Sequence, residues 1–141
     1  MDRFTDLFLK LKIEEGILNF SDSQITWKER LNMYLEEGLF NNEKNRIYFN
    51  GRLIINIKDK NDFYNFFQIN KKYRKNLKKI ELDFNYDFTE KKVTFDNLKI
   101  DNKSNLKLEE FISNFNSGNE KFFNRITFKS FVNKIFVVYF G

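Results

Sequence analysis

The chain has no cysteine, no histidine, no proline and no alanine, and only five of its 141 residues are glycine. Each absence removes something. Without Cys or His there is no zinc site of the usual kind, no His base, no Cys nucleophile and no Ser-His-Asp triad, so a large share of enzyme chemistry is excluded. The lack of Cys also excludes disulfides, although that alone assigns no compartment. Gly16, Gly38, Gly51, Gly118 and Gly141 stand isolated, and no glycine-rich loop is present to cradle a phosphate. Glu14-Glu15 and Glu36-Glu37 are adjacent carboxylates that point to opposite faces of a strand, so neither pair aims an acid and a base at one bond. Glu81, Asp83, Asp87 and Asp96 recur at strand spacing, the mark of a solvated sheet face rather than of an oxygen cage for a divalent cation. The expectation is a protein that is not an enzyme and needs no cofactor.

What abounds is Phe, with 19 copies, together with Lys, Asn and Ile. The missing Ala and Pro need G/C-rich codons and the abundant residues need A/T-rich ones, so an A/T-rich genome is the simplest account. The net charge of +5 and pI near 9.3 follow from the same bias, because the excess is largely Lys scattered among Asp and Glu. At 17.3 kDa the chain is one domain's worth, with nothing resembling a linker. No window of about 18 apolar residues exists to span a bilayer. Met1 to Asp6 is not followed by an uninterrupted apolar run, since Lys10, Lys12, Glu14 and Glu15 intervene, so no signal peptide is expected.

The clearest pattern lies between Leu77 and Asp101. Ile80, Leu82, Phe84, Tyr86 and Phe88 alternate with Glu81, Asp83, Asn85 and Asp87, the period of a half-buried strand. A polar turn at Thr89 to Lys92 leads to Val93 and Phe95, which predicts an antiparallel hairpin. The apolar phase then moves to Leu98 and Ile100, so one extra residue, Asp96 or Asn97, is absorbed by a bulge or by an early strand end. Upstream, the odd positions Leu7 to Ile17 form a strand kinked at Gly16. Ile25, Trp27, Leu31, Met33, Leu35 and Leu39 share one face of a long second strand. Ile47, Phe49, Leu53, Ile55 and Ile57 form a third, with Gly51 in its middle. The first part of the chain therefore predicts a three-stranded meander with one apolar face.

Three helices complete the reading. One spans residues 61–76, capped by Asp59, Asn61 or Asp62 and striped with Phe63, Phe66 and Phe67. A second runs over residues 105–116 from a Ser104 or Asn105 cap, with Leu108, Phe111, Ile112 and Phe115 on one side. A third covers residues 124–139 and is apolar nearly all round at its end. The expected class is α+β and β-rich: a twisted, curled antiparallel sheet of about five strands, a crossover helix and two C-terminal helices in a single domain. Trp27, Leu31, Met33, Leu35, Ile47, Phe49, Leu53 and Ile55 form a broad apolar sheet face. Either the helices cover it as a core, or part stays open to a lipid, a membrane or more sheet. The run Lys71, Lys72, Tyr73, Arg74, Lys75, Lys78 and Lys79 offers phosphate contacts and hence a nucleic-acid alternative, but the spacing of the adjoining Phe residues favours a core helix with a wet basic side.

Beyond periodicity, DFYNFFQINKKYRK, IELDFNYDFTEKKVTFDNLKIDNKSN, LEEFISNFN and NRITFKSFVNKIFVVY, in that order between Asn61 and Tyr139, resemble the carboxy-terminal region of AsmA-like proteins from A/T-rich marine α-proteobacteria. The likeness covers a little over half of the chain. It implies a periplasmic setting at the inner membrane, through an anchor lying outside this chain, and an antiparallel sheet with an apolar groove. AsmA-like proteins are similar to the bridge-like lipid transport proteins, and the implied work is phospholipid binding and movement towards the outer envelope. The eight residues of the apolar face would then meet acyl chains, with the rest of the parent sheet and a membrane surface as partners. The family supplies no catalytic motif. A structural cap that closes a sheet and binds nothing is the rival expectation.

Overall fold

The computed structural model describes residues 6–28, 30–118 and 125–141. Two long strands, β5 (Leu31–Glu43) and β6 (Arg46–Ile57), make the spine. They join through Lys44-Asn45, both at positive φ (50° and 63°), the two-residue turn whose twist matches that of its strands. β7 (Lys79–Asp87) pairs with β6, and β8 (Lys92–Ile100) with β7. On its other edge β5 is shared: β4 (Ser23–Trp27) pairs with Leu31 to Leu35, and β3 (Ile17–Asn19) meets the strand at Leu39. β2 (Lys12–Glu14) forms a hairpin with β3, and β1 (Asp6–Phe8) adds to β4. The product is one antiparallel sheet of eight strands that does not close on itself.

The class is α+β and strand-rich as expected, but eight strands replace the expected five, and six of them stand where a three-stranded meander was predicted. Parity explains the difference. Trp27 pairs with Leu31 and Ile25 with Met33, so a hairpin with a three-residue loop keeps the odd positions on one face, as one long strand would. The kink at Gly16 is instead a two-residue hairpin turn, with Glu14 opposite Ile17 and both Glu15 (φ 50°) and Gly16 (φ 78°) left-handed. The slip expected near Asp96 is present as a bulge. Glu81 pairs with Lys99 but Asp83 with Asp96, and Asn97 takes φ 52°. A second bulge, at Glu36, carries the inner face of β5 from Leu35 to Gly38 and Phe40, because Leu35 pairs with Leu53 and Glu37 with Arg52. Leu39, expected inward, therefore faces out opposite Asn50.

α1 (Lys60–Phe66) is capped by Asp59, whose carboxylate accepts the N–H groups of Asn61 and Asp62 at 2.9 and 3.1 Å. It is half the expected length: Gln68 turns left-handed (φ 54°), and only a 3-10 turn at Lys71–Tyr73 follows. α2 (Leu106–Ser117) begins at an Asn105 cap, the second of the two candidates Ser104 and Asn105. α3 (Arg125–Phe140) closes the chain, and its expected start at Asn124 lies outside the described residues. α3 is apolar nearly all round because it lies between partners. Phe136 reaches Phe63 and Tyr64 of α1 at 5.8 and 5.5 Å, while Phe131 reaches Phe115 of α2 at 4.7 Å and Phe95 of the sheet at 5.4 Å. Below them Leu31, Ile80, Leu98 and Ile100 complete the core. Tyr64 is buried with these rings; its hydroxyl donates to the Lys75 carbonyl at 2.8 Å, and burial pushes its pKa up to about 12.

The outer edge of β8 is blunted by a side chain. Asn116 accepts the Phe95 N–H at 2.9 Å and donates to the Phe95 carbonyl at 2.6 Å, standing in for a neighbouring strand. Ile100 is likewise bridged to Lys103. Asn116→Ala is expected to cost about 1–3 kcal/mol by leaving both Phe95 groups unpaired. Urea unfolding checks the loss, and concentration-dependent elution would report any edge-to-edge association.

Candidate ligand groove

The helices cover one half of the inner sheet face. Trp27, Leu31 and Ile55 lie in that half: Leu31 is buried, Ile55 packs against the core, and Trp27 meets the Phe66 ring edge-on at 4.5 Å. Beside them Arg30 stacks its guanidinium on Trp27 and Phe66, 4.3 and 4.4 Å from the ring centres, and forms an ion pair with Asp62 at 2.9 Å. The other half remains open as a cleft of about 510 Å³, inside the usual range for a single small-molecule site. Four of the residues assigned to the apolar face from sequence, Met33, Leu35, Phe49 and Leu53, line it. Ile47 shares their strand face but sits at the hairpin tip, half exposed and outside the cleft. Thus the eight-residue face is divided: four line the cleft, three are under the helices and one lies beyond.

The strand pairing brings in residues that sequence reasoning missed. Phe20 and Phe40 join the cleft wall, with Phe40 stacked on Phe49 at 4.6 Å and Phe20 edge-on to Phe40 at 5.6 Å. From β7 and β8 come Leu82, Phe84, Val93 and Phe95. Phe40 was legible in one way only, as an even-numbered apolar residue after a Glu-Glu-Gly interruption, the same phase slip that marked the β8 bulge. Beneath the Leu35 and Phe49 side chains Gly38 pairs with Gly51, and Gly51 in turn with Phe84. A Cβ on Gly38 would meet those two side chains, and the Glu36 bulge brings the Glu37 carbonyl to where a Cβ on Gly51 would stand.

Among the described residues no charged side chain lines the cleft. Of its two polar residues, Ser23 accepts the Lys10 N–H at 3.0 Å and donates to the Lys10 carbonyl at 3.3 Å, so its hydrogen bonds are taken. The ionic groups gather elsewhere. Arg52 and Asn97 hold the Asp83 carboxylate at 2.8 and 2.7 Å, and the Arg52 hydrogen bond keeps its pKa below the usual range. Asp22 accepts from Tyr34 at 2.5 Å and from Lys10 at 3.1 Å, which lowers the carboxyl pKa and raises that of the phenol. Glu81 pairs with Lys79. Among the described residues no three His, Cys, Asp or Glu side chains converge to hold a metal, and no helix is long and apolar enough to cross a membrane.

The apolar surface continues past the cleft. From Leu9 on the cleft rim it extends to Leu7, Leu11 and Ile13, in and between β1 and β2, all four more than half exposed. Around the basic run, Phe63 and Phe67 are buried and unavailable to stack on bases. No family model, no curated protein and no solved structure matches this chain.

Proposed function

We propose that this chain is a lipid-handling groove domain of the AsmA-like kind, in which one half of a curled antiparallel sheet is sealed by helices and the other half receives hydrocarbon. The observation that carries the reading is the uncovered apolar cleft between the Phe20, Phe40 and Phe49 rings and the α2–α3 cover. An acyl chain laid there would remove apolar area from water at about 25 cal/mol per Å² on both sides of the contact. With the cleft wall apolar among the described residues, the ligand presents hydrocarbon, as a phospholipid tail does. In this reading the working residues are Met33, Leu35, Phe40, Phe49 and Leu53, and the chain acts as the carboxy-terminal part of a periplasmic envelope protein that moves phospholipid, without catalysis.

The test is to extract the purified protein with organic solvent and weigh the co-purified lipid by mass spectrometry against a control protein from the same host. Stoichiometric phospholipid is expected. Leu35→Asp or Phe40→Asp removes it by placing a carboxylate on the cleft wall, while Leu39→Asp, on the opposite face of the same strand, retains it. Lipid absent from the folded wild-type protein, or lost equally in all three variants, refutes the reading. The cap alternative is favoured by one observation, the sealing of the β8 edge by Asn116, and predicts a folded protein with no lipid.

A further inference from the structure

At the end of the sheet away from the β5–β6 and β7–β8 turns, three elements that are far apart in sequence come together. The 3-10 turn at Lys71–Tyr73 meets the end of α3, with Gly141 against the Tyr73 ring. The start of α2 joins them, since Asn105 donates to the Tyr139 carbonyl at 3.2 Å and Lys107 to that of Gly141 at 3.5 Å. Lys71, Lys72, Lys75, Lys78, Lys103 and Lys107 are all exposed in these segments or beside them. Between them Leu106 is 76% exposed and Val137 37%, next to half-buried Tyr73, Tyr139 and Phe140. Two carboxylates lie among them: Asp101 accepts the N–H groups of Lys78 and Lys79 at 2.9 and 2.8 Å, and Asp59 caps α1. Glu109 lies in the first turn of α2 and Glu110 follows it, so four carboxylates stand against the six lysines.

We infer that this pole docks on the surface of an anionic lipid bilayer, its lysines meeting headgroup phosphates and Leu106, Val137 and the neighbouring aromatic rings entering the headgroup boundary. Charge complementarity chooses the partner, because clustered cations are drawn to the negative surface potential of acidic lipids. The interleaved apolar residues distinguish a bilayer from a nucleic acid. An exposed Leu gains free energy by leaving water at an interface and gains nothing against phosphodiester, while Phe63 and Phe67 of α1 are buried away from any base and Tyr73, inside the run, is half-buried beneath the Lys72 ammonium. Lys107 also reaches the end of α3, where its ammonium meets the Gly141 carbonyl at the negative end of the helix dipole. The surface is separate from the cleft, so docking stands or falls independently of what the cleft holds.

The measurement is flotation with vesicles of phosphatidylcholine alone and of phosphatidylcholine mixed with phosphatidylglycerol. Binding to the mixed vesicles alone is expected, falling steeply as salt rises. Combining Lys72→Gln, Lys75→Gln and Lys107→Gln is expected to lower partitioning on the order of a hundredfold. Leu106→Ser, at unchanged charge, lowers it by about fivefold. These positions are exposed, so folding survives and circular dichroism verifies it. Leu35→Asp in the cleft leaves docking unchanged. Absence of binding, equal binding to neutral vesicles, or indifference to the triple variant overturns the inference. Tight binding of a single-stranded RNA, lost in the triple variant but untouched by Leu106→Ser, reassigns the pole to nucleic acid.

Discussion

Phe136→Ala is expected to lower the unfolding free energy by about 3–5 kcal/mol, enough to leave a domain of this size marginal. The side chain is wholly inaccessible, and its ring meets Phe63, Tyr64 and Phe140 at 5.8, 5.5 and 5.9 Å. Truncation leaves a hole between α1 and α3 that these rings cannot close, because each is pinned by other contacts: Tyr64 by its hydrogen bond to Lys75, Phe63 by Phe67 at 4.7 Å. Val137→Ala, one residue on and partly exposed, is expected to change stability by no more than about 0.5 kcal/mol. Urea unfolding followed by tryptophan fluorescence measures both, since Trp27 lies under α1 against Phe66. Equal effects from the two substitutions would show that α3 does not bury the face described.

Gly51→Ala is expected to cost about 4 kcal/mol or more, or to prevent folding altogether. A methyl there runs into the backbone carbonyl of Glu37, which the bulge in β5 holds in place, and no side-chain rotation relieves a backbone collision. Gly38→Ala is the informative contrast. Its new methyl meets mainly the Leu35 side chain, which can turn aside, so a cost nearer 1–2 kcal/mol is expected. Because Leu35 lines the cleft, the same change narrows it, and a folded Gly38→Ala protein is expected to retain less lipid than wild type. Thermal and urea melts of the two variants check the order. A Gly51→Ala protein as stable as wild type would mean that the bulge moves freely.

The partition of the apolar face is where sequence and structure part. Its residues were visible as alternating positions, and the inward direction of Met33, Leu35, Phe49 and Leu53 follows from that alternation. Which of them a helix covers was not visible. Coverage depends on α1 stopping at Phe66, where Gln68 goes left-handed, and on α3 lying between α1 and α2 over the Ile80 and Ile100 end of the sheet. Phe20 and Phe40 escaped because each enters the cleft only through pairing across β3, β5 and β6, a relation between residues up to three strands apart. The docking pole is likewise assembled from the 3-10 turn, the start of α2 and the end of α3.

The sequence by itself determined the α+β class, the β7–β8 hairpin with its phase slip and the apolar stripes of the helices, and it narrowed the caps to Asp59, Asn61 or Asp62 and to Ser104 or Asn105, because each rests on local pattern along the chain. Only the tertiary structure decided the number of strands, the pairing of Gly38 with Gly51 and the half of the sheet left open. A hairpin loop of odd length preserves the parity that a continuous strand would show, so alternation alone cannot count strands. The open half is set by where three helices fit, and that packing is a property of the whole chain.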